Sequence, residues 1–248
     1  MKPDINELVT RMFAGSHISL ACLISAVERE SPDVPEILEM ITPHLGKAYC
    51  IGITGPPGGG KSTLVDKLAA VTRRRGLSVG IVAVDPSSPI SGGALLGDRI
   101  RMQQHYLDDE VFIRSMATRG SHGGLSKAVQ ATVNLLDAFG KDIIMIETVG
   151  VGQTETNIIE IADTVVLVLV PESGDAIQVM KAGLIEVADI IVVNKADHEG
   201  AERLVTELQD TLIFDGKRAK QSIMVTQAIN DIGIEELYQE LDKCHRVC

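Results

Sequence analysis

The sequence predicts an α/β fold: a doubly wound, mostly parallel sheet preceded by a short N-terminal helical appendage. Seven short apolar runs recur between residues 49 and 226, and segments of helical length separate most of them. Aromatic residues make up only 3% of a chain that is 45% hydrophobic, so its core must be aliphatic. Apolar runs that alternate with helices are typical of βαβ units, and aliphatic strands suit a parallel sheet buried on both faces.

The first 46 residues form the predicted N-terminal helical segment. Apolar side chains recur there near every third or fourth position between Leu8 and Val27, and three prolines interrupt the pattern. This spacing indicates amphipathic helices, and prolines mark their ends. We therefore expect two or three short helices within residues 4–45, followed by a sheet domain over residues 47–248.

Within the sheet domain, each apolar run is a predicted strand and each longer segment a predicted helix. The predicted strands are 49–54, 78–84, 111–116, 142–148, 164–170, 189–194 and 222–226. The predicted helices are 61–75, 126–139, 176–187, 200–211 and 234–243. Ligands of such sheets bind beyond the carboxyl ends of the strands, so polar residues that directly follow a strand are the candidate site.

Charge and composition exclude several classes of partner. The formal net charge is −11, and no aromatic platform replaces the missing basic surface, so a nucleic-acid partner is not expected. No apolar run reaches the length of about 18 residues that a membrane span requires, and the N-terminus lacks the apolar core of a signal peptide. Four scattered cysteines fit reduced thiols. We expect a cytoplasmic protein that contacts neither nucleic acid nor membrane.

A phosphate-binding loop follows the first predicted strand. The segment GPPGGGKST over residues 55–63 fits the pattern G-x-x-x-x-G-K-[ST], in the strand–loop–helix context that the motif requires. Its glycines allow backbone N–H groups to surround phosphates, and the helix that follows adds its positive end. Lys61 is expected to reach the β- and γ-phosphates and Ser62 to bind Mg²⁺. The candidate phosphate-binding residues are Gly55, Gly58, Gly59, Gly60, Lys61, Ser62 and Thr63.

A guanine-reading motif follows the sixth predicted strand. Asn194, Lys195 and Asp197 form the pattern N-K-x-D. A carboxylate at Asp197 can accept hydrogen bonds from N1–H and the exocyclic amine of guanine, a donor pair that adenine lacks. Gln227 and Ala228 follow the last strand, where a backbone N–H could meet guanine O6, although a plain strand-to-helix loop explains them equally well. Together with the phosphate loop, these residues predict the G domain of a P-loop GTPase.

Three acidic residues between these motifs are candidate ligands of Mg²⁺ or of its water shell. Asp85 ends the second predicted strand, Asp98 lies in a glycine-rich segment, and Glu147 ends the fourth strand. Magnesium with a triphosphate needs oxygen ligands, and the attacking water must be oriented. The segment that begins at Glu147 resembles a D-x-x-G switch, in which Gly150 would donate its N–H to the γ-phosphate. A helix N-cap is the alternative role for Asp98.

Three longer strings resemble the MeaB/ArgK family of GTPases. They are DPSSPISGGALLGDRIRM over 85–102, ETVGVGQTE over 147–155 and GDAIQVMKAGLIEVADIIVVNKAD over 174–197. Members of this family are G-protein chaperones of adenosylcobalamin-dependent acyl-CoA mutases, of which methylmalonyl-CoA mutase is the best known. The resemblance covers the N-terminal helices and the whole G domain.

The resemblance implies a set of functions for this chain. It implies slow hydrolysis of GTP to GDP and phosphate, with Mg²⁺, at the residues named above. GTP binding and hydrolysis would gate the loading of adenosylcobalamin into the mutase and protect the mutase from damaged cofactor. Residues 173–181 would form an additional switch that transmits the nucleotide state. The chain has no D-x-H-x-x-G signature, so cobalamin binding of that kind is expected in the partner.

One departure concerns the oligomer. Family members usually continue into a helical C-terminal arm that forms a dimer, whereas this sequence stops at Cys248. We therefore expect any homodimer to use other surfaces.

The residues alone leave three other functions open. In an ATP-dependent kinase linked to a transport binding protein, the Asp197 carboxylate would repel the N1 acceptor of adenine. A nickel-insertion GTPase would need clustered His or Cys ligands, whereas the six histidines are isolated. A non-enzymatic docking module would sense the nucleotide without requiring hydrolysis.

Overall fold

A computed structural model describes residues 4–85, 102–105, 107–117, 122–148, 160–171, 183–214 and 221–246. The strands are β1 (Tyr49–Thr54), β2 (Val79–Asp85), β3 (Val111–Ala117), β4 (Ile143–Glu147), β5 (Thr164–Leu169), β6 (Ile190–Val193) and β7 (Ser222–Val225). The helices are α1 (Ile5–Phe13), α2 (His17–Glu28), α3 (Val34–Ile41), α4 (Lys61–Arg74), α5 (His122–Phe139), α6 (Leu184–Val187), α7 (Ala201–Phe214) and α8 (Ile234–His245). Short 3₁₀ turns occupy Thr42–His44, Gln103–His105 and Ala228–Asn230.

The predicted elements agree closely with these bounds. Every predicted strand is confirmed within one residue at each end, and the N-terminal segment contains three helices, as expected. Helix α5 begins at His122 rather than at residue 126, and α7 continues to Phe214 rather than stopping at residue 211. Of the helix predicted over 176–187, only the part from Leu184 to Val187 falls within the described residues, and it is helical.

The strands form one sheet in the order β3-β2-β4-β1-β5-β6-β7. All of its described strand pairs are parallel, which confirms the predicted α/β class. Strands β1, β4, β5 and β6 are buried along their whole length. Parallel pairing brings the carboxyl ends of all strands to one edge, and the phosphate loop and the guanine-reading motif both begin at this edge.

Alternating side chains of the strands feed separate cores on the two faces of the sheet. In β1, Tyr49, Ile51 and Ile53 pack with α4 and α8, while Cys50 points to the opposite face. Two clusters lie on that opposite face: one joins the central strands to α1, α2, α3 and α5, and the other joins β5 and β6 to α6 and α7. The period of two along each strand therefore places helices on both faces, as a doubly wound fold requires.

The N-terminal helices pack directly on α5 and share its core. Leu20, Leu23 and Ile24 of α2 are fully buried in the same cluster as Leu135 of α5. The Asp137 carboxylate of α5 accepts hydrogen bonds from three successive backbone N–H groups, at residues 46, 47 and 48, over 2.5–3.1 Å. The segment that leads into β1 is thereby bound to α5, while the domain boundary at residues 46/47 stays a prediction.

The length and apolarity of the helices bear on the expectation that no segment spans a membrane. Within the described ranges, no helix is both long and apolar enough to cross a lipid bilayer.

Candidate functional site

The phosphate loop, residues 55–60, joins β1 to α4 at the carboxyl edge of the sheet. Gly55, Gly58 and Gly60 have φ angles of +139°, +74° and +85°, which residues with side chains rarely adopt. A Cβ atom at Gly55 would clash with the carbonyl oxygen of Val168, whereas one at Gly58 would meet nothing within 4 Å. The loop therefore needs glycine for its backbone conformation, and at Gly55 also for its close contact with β5.

Lys61 begins α4 and points back into the loop. Its side chain is only 5% exposed, and Nζ donates to the carbonyl oxygens of Gly55 at 2.8 Å and Pro56 at 3.0 Å. A buried ammonium is costly unless it is hydrogen-bonded, and these carbonyls supply that bonding. The positive end of α4 lies at the same place, so a cation and a helix N-terminus converge on one anion-binding position. Thr63 lies half-buried in the first turn of α4.

Ser62 and Glu147 meet at the end of β4. The Ser62 hydroxyl donates to Oε1 of Glu147 at 2.6 Å, and both side chains are buried. The backbone after Glu147 is fixed by Thr148, whose N–H donates to the Ile53 carbonyl at 3.1 Å and whose hydroxyl donates to that of Thr54 at 3.2 Å. Helix α4 and strand β4 therefore hold two hard oxygen donors together beside the phosphate loop.

The amide of Asn194 joins three separate loops. Its Nδ2 donates to the Gly59 carbonyl at 2.9 Å, and its Oδ1 accepts from the Thr226 hydroxyl at 3.0 Å and from the Ala228 N–H at 3.1 Å. The side chain is 2% exposed. A Cβ atom at Gly60 would clash with this same Nδ2. Asn194 thus sets the distance between the phosphate loop and the loops that follow β6 and β7.

The outer part of the same motif consists of Lys195 and Asp197, and His198 follows it directly. Lys195 has a positive φ of +54°, uncommon for a residue with a side chain. Asp197 is exposed, with its side chain 45% accessible, and its Oδ2 lies 3.7 Å from Nε2 of His198. The Ala196 N–H donates to the Thr226 carbonyl at 3.1 Å, which ties this turn to the loop after β7. The Asp197 carboxylate is therefore presented at the surface beside a tightly bonded backbone.

Gln227 and Ala228 begin the loop after β7. Gln227 forms an isolated antiparallel bridge with Ile232, and its backbone N–H donates to the Ile232 carbonyl at 3.0 Å. The N–H of Ala228, one of the backbone groups that could meet guanine O6, donates to Asn194 in this structure. A contact from Ala228 to O6 would have to share that N–H.

Several predicted site residues are described only in part or lie outside the described residues. Asp85 is the last residue of β2, at the carboxyl edge, although its side chain is not among those described. Asp98, Gly150 and residues 173–181 lie outside the described residues.

Two polar contacts were not predicted from the sequence. The first is the pair of buried hydroxyls at Thr54 and Thr148, and the second is a buried contact between Asp66 of α4 and His105. Neither belongs to a short motif, because their partners are 94 and 39 residues apart in sequence. For the contact between Asp66 and His105, the sequence signal was Asp66 itself, a polar residue on the apolar face of α4.

Comparison with known proteins decides the family. A family described as Methylmalonyl Co-A mutase-associated GTPase MeaB matches residues 20–248. The chain belongs to the MeaB family of GTPases. It is accordingly a GTPase, and it binds guanine nucleotide.

Individual relatives agree with this assignment. A protein of Pyrococcus abyssi named as a GTPase is 52% identical over 247 residues, which cover 98% of this chain and 76% of the relative. The GTPase ArgK of Escherichia coli is 38% identical over 245 residues, covering 95% and 74%. A Caenorhabditis elegans protein named methylmalonic aciduria type A homolog, mitochondrial, is 36% identical over 210 residues, covering 79% and 53%.

Solved structures support the fold. A protein described as a LAO/AO transport system kinase is 26% identical and superposes with a TM-score of 0.76, covering 98% of this chain and 75% of the other. HypB from Helicobacter pylori, in complex with nickel, is 17% identical with a TM-score of 0.59, covering 86% and 94%. The second likeness concerns the fold alone.

Proposed function

We propose that this GTPase holds the nucleotide across the carboxyl edge of the sheet, with the phosphates at residues 55–63 and the guanine at Asn194, Lys195 and Asp197. The observation that carries this proposal is the Asn194 amide, which bonds the phosphate loop and the base-reading loops at once. Lys61 would exchange its two loop carbonyls for phosphate oxygens, as a phosphate-loop lysine does. Gly150 would supply a backbone N–H to the γ-phosphate.

The donor set at Ser62 and Glu147 fits Mg²⁺. A hydroxyl and a carboxylate oxygen lie 2.6 Å apart, both buried, and magnesium prefers such hard oxygen donors. Asp85 and Asp98 would complete the ligands or hold waters of the metal shell. Bound there, Mg²⁺ would neutralise the charge that develops on the phosphate oxygens during transfer. Ser62 and Glu147 would each offer an oxygen to the metal.

Base selection would depend on Asp197. Its exposed carboxylate can accept from both N1–H and the exocyclic amine of guanine, while adenine presents an acceptor at N1. Lys195 would lie along the base plane, and Gln227 and Ala228 would line the O6 edge. The rigid backbone under this turn, bonded to Thr226, would keep the carboxylate in place.

Calorimetric titration with GDP, GTP and ATP tests the base assignment. Asp197→Ala should weaken GDP binding by about 3 kcal/mol, on the order of a hundredfold, because a charged acceptor is lost. Asp197→Asn should shift preference towards xanthosine diphosphate, because an amide N–H can donate to the C2 carbonyl that replaces the guanine amine. Glu199→Ala removes an exposed carboxylate from the same loop and should bind GDP like the parent chain. ATP binding as tight as GDP binding in the parent would overturn the assignment.

We further propose that the nucleotide state gates adenosylcobalamin loading of a partner acyl-CoA mutase and protects that mutase. This rests on the family description, which names an association with methylmalonyl-CoA mutase, and on the name of the Caenorhabditis elegans relative. The chain would act as a slow switch whose hydrolysis the mutase accelerates. Neither nucleic acid nor membrane would take part, and a homodimer stays possible.

Co-purification with adenosylcobalamin-dependent mutases tests the gating proposal. The mutase should be retained differently with GDP and with a non-hydrolysable GTP analogue, and cofactor transfer should require hydrolysis. Transfer that runs equally well with the analogue would favour a docking module without a catalytic role. Equal retention of the mutase in every nucleotide state would contradict a switch.

The description of the solved transport system kinase motivates a test of the kinase alternative, for which the same calorimetry compares the affinities for ATP and GTP. ATP-supported phosphorylation that survived Asp197→Ala would favour it. For nickel insertion the structure offers no support among the described residues, where no group of three or more His, Cys, Asp or Glu side chains could hold a metal ion.

A further inference from the structure

Two buried threonine hydroxyls meet between the start of the phosphate loop and the end of β4. Thr54 is the last residue of β1 and directly precedes the loop, while Thr148 directly follows Glu147. The Thr148 hydroxyl donates to the Thr54 hydroxyl at 3.2 Å, and each residue is only 2% exposed. We call these two residues the threonine pair. Neither is among the residues predicted to contact nucleotide or metal.

The threonine pair lies at matching positions on two neighbouring strands. Strands β1 and β4 run parallel, and their register places Ile53 opposite Glu147. The Thr148 N–H donates to the Ile53 carbonyl at 3.1 Å, so the backbone pairing continues one residue beyond β4. Thr148 is therefore held to β1 twice, once through its backbone and once through its hydroxyl.

The threonine pair and the proposed metal donors lie on opposite faces of the sheet. Ile53 packs in the core that contains α4, and Glu147 meets Ser62 of α4 on this same face. Because successive side chains of a strand point to opposite faces, Thr54 and Thr148 point away from α4. The end of β4 is thus bonded on both faces, to Ser62 on one and to Thr54 on the other.

Packing alone does not require hydroxyls at these two positions. Up to Glu147, β4 consists of buried apolar residues, and the neighbouring Ile51 and Ile53 of β1 are buried as well. A buried hydroxyl is costly unless it is hydrogen-bonded, whereas an apolar pair of the same shape can replace two bonded partners at almost no cost in stability. A satisfied buried polar contact contributes instead a defined arrangement of the groups that carry it.

Each threonine is next to a residue of the proposed site. Thr54 leads directly into Gly55, whose carbonyl oxygen accepts from Nζ of Lys61 at 2.8 Å. Thr148 shares a peptide group with Glu147, whose carboxylate accepts from Ser62. The bond between the two threonines therefore joins the backbone of the phosphate loop to the backbone that carries the carboxylate.

We propose that the threonine pair positions Glu147 for the magnesium site. The inference rests on the proposed function, because it requires Ser62 and Glu147 to bind the metal. Thr54 and Thr148 are positioning residues, which act through the backbone and not by contact with nucleotide or metal. Their bond sets the distance between the Glu147 carboxylate and the phosphate loop, and a metal site depends on such supporting contacts for its geometry.

Calorimetric titration of Mg²⁺ into the GDP complex of the full chain tests the positioning. Thr148→Val removes the donor and should weaken Mg²⁺ binding by about tenfold, as loss of a supporting contact around a metal site does. The half-saturating magnesium concentration for GTP hydrolysis should rise by a similar factor. Thr148→Ser retains the hydroxyl and should recover most of the loss. GDP affinity measured without magnesium should stay within about twofold of the parent, since the proposed guanine contacts are elsewhere.

The double variant Thr54→Val/Thr148→Val separates positioning from stability. It removes both hydroxyls, so neither is left buried without its partner, and it should unfold at nearly the parental denaturant concentration. Its magnesium affinity should nevertheless stay about tenfold below that of the parent. The same variant carries the test if Thr148→Val alone does not fold. Parental magnesium affinity in the double variant overturns the threonine pair as a positioning device.

Thr72→Val is the matched control, because it removes another fully buried threonine hydroxyl, which donates to the Leu68 carbonyl at 2.8 Å. Thr72 lies on the same helix as Ser62 but about 15 Å further along its axis. This variant should leave magnesium affinity unchanged, and an equal loss in it overturns the threonine pair alone. A parent GDP complex that does not bind Mg²⁺ overturns the metal proposal and the threonine pair with it.

Discussion

At the scale of single residues, Asn194 does more than its motif requires. The N-K-x-D pattern needs its acid for the proposed contact with guanine, whereas Asn194, three residues before that acid, is buried and bonds three loops. Because its amide has both donor and acceptor atoms, it can bind the Gly59 carbonyl on one side and Thr226 and Ala228 on the other. The phosphate loop is thereby linked to the loops that we propose bind the base.

Replacing Asn194 tests this linkage. Asn194→Ala leaves a buried carbonyl, hydroxyl and N–H without their partner, so we expect about 3 kcal/mol of lost stability and at least about tenfold weaker GDP binding. Asn194→Asp keeps the acceptor for Thr226 and Ala228 but places a buried carboxylate oxygen against the Gly59 carbonyl, so it should also destabilise the fold. Denaturant unfolding and calorimetry measure both effects. Parental GDP affinity in Asn194→Ala would show that the three loops hold their positions without it.

At the scale of elements, the sequence predicted strands better than it predicted contacts. β4 and β5 are continuous apolar runs bounded by polar residues, so their ends could be read directly. The predicted start of α5 was too late because the first turn of this helix contains His122 and two glycines, which carry no helical apolar pattern. The Ser62–Glu147 pair could be anticipated because both residues belong to motifs.

The Asp66–His105 contact could not be anticipated in the same way. Its two residues lie on elements separated by β2 and by a long connection, and the burial of Met102 and the Arg73–Asp108 ion pair bring them together. Local patterns report which face of an element is buried, and they carry no information about which distant polar side chain meets it.

The pH dependence of stability provides a test at this element scale. The pKa of His105 is raised above its ordinary value of 6.5, chiefly by its hydrogen bond with Asp66. A raised folded pKa means that the stabilisation is fully present below about pH 6.5 and is lost as pH rises through the folded value. The free-energy difference between the parent and His105→Gln should therefore shrink as pH rises from about 6 to about 9.

A double-mutant comparison isolates the cause of that pH dependence. In an Asp66→Asn background, His105→Gln should produce a difference in unfolding free energy that changes much less with pH, because the carboxylate partner of the imidazolium is gone. An undiminished pH trend in this background would assign the raised pKa to the Asp66 backbone carbonyl and to Asp108 instead.

At the scale of the whole molecule, the N-terminal helices and the GTPase core share one hydrophobic cluster. α2 packs on α5, and Arg114 of the edge strand β3 pairs with Glu28 and donates to the Ser25 hydroxyl of α2 at 3.0 Å. The helices therefore cover an edge and a face of the sheet. Such sharing predicts that the segment before residue 47 and the sheet unfold together.

Leu23→Ala tests this coupling, because Leu23 is fully buried between α2 and the rest of the cluster. A cavity there should cost about 3 kcal/mol and lower the midpoint of a single unfolding transition, which GDP should still raise through binding to the native state. Ile18→Ala, on the same helix but 79% exposed, should change stability by less than about 0.5 kcal/mol. Two separate transitions would contradict this coupling if Leu23→Ala shifted only the transition that GDP does not affect. The N-terminal helices would then unfold as an independent unit, and their packing would contribute nothing to the nucleotide site.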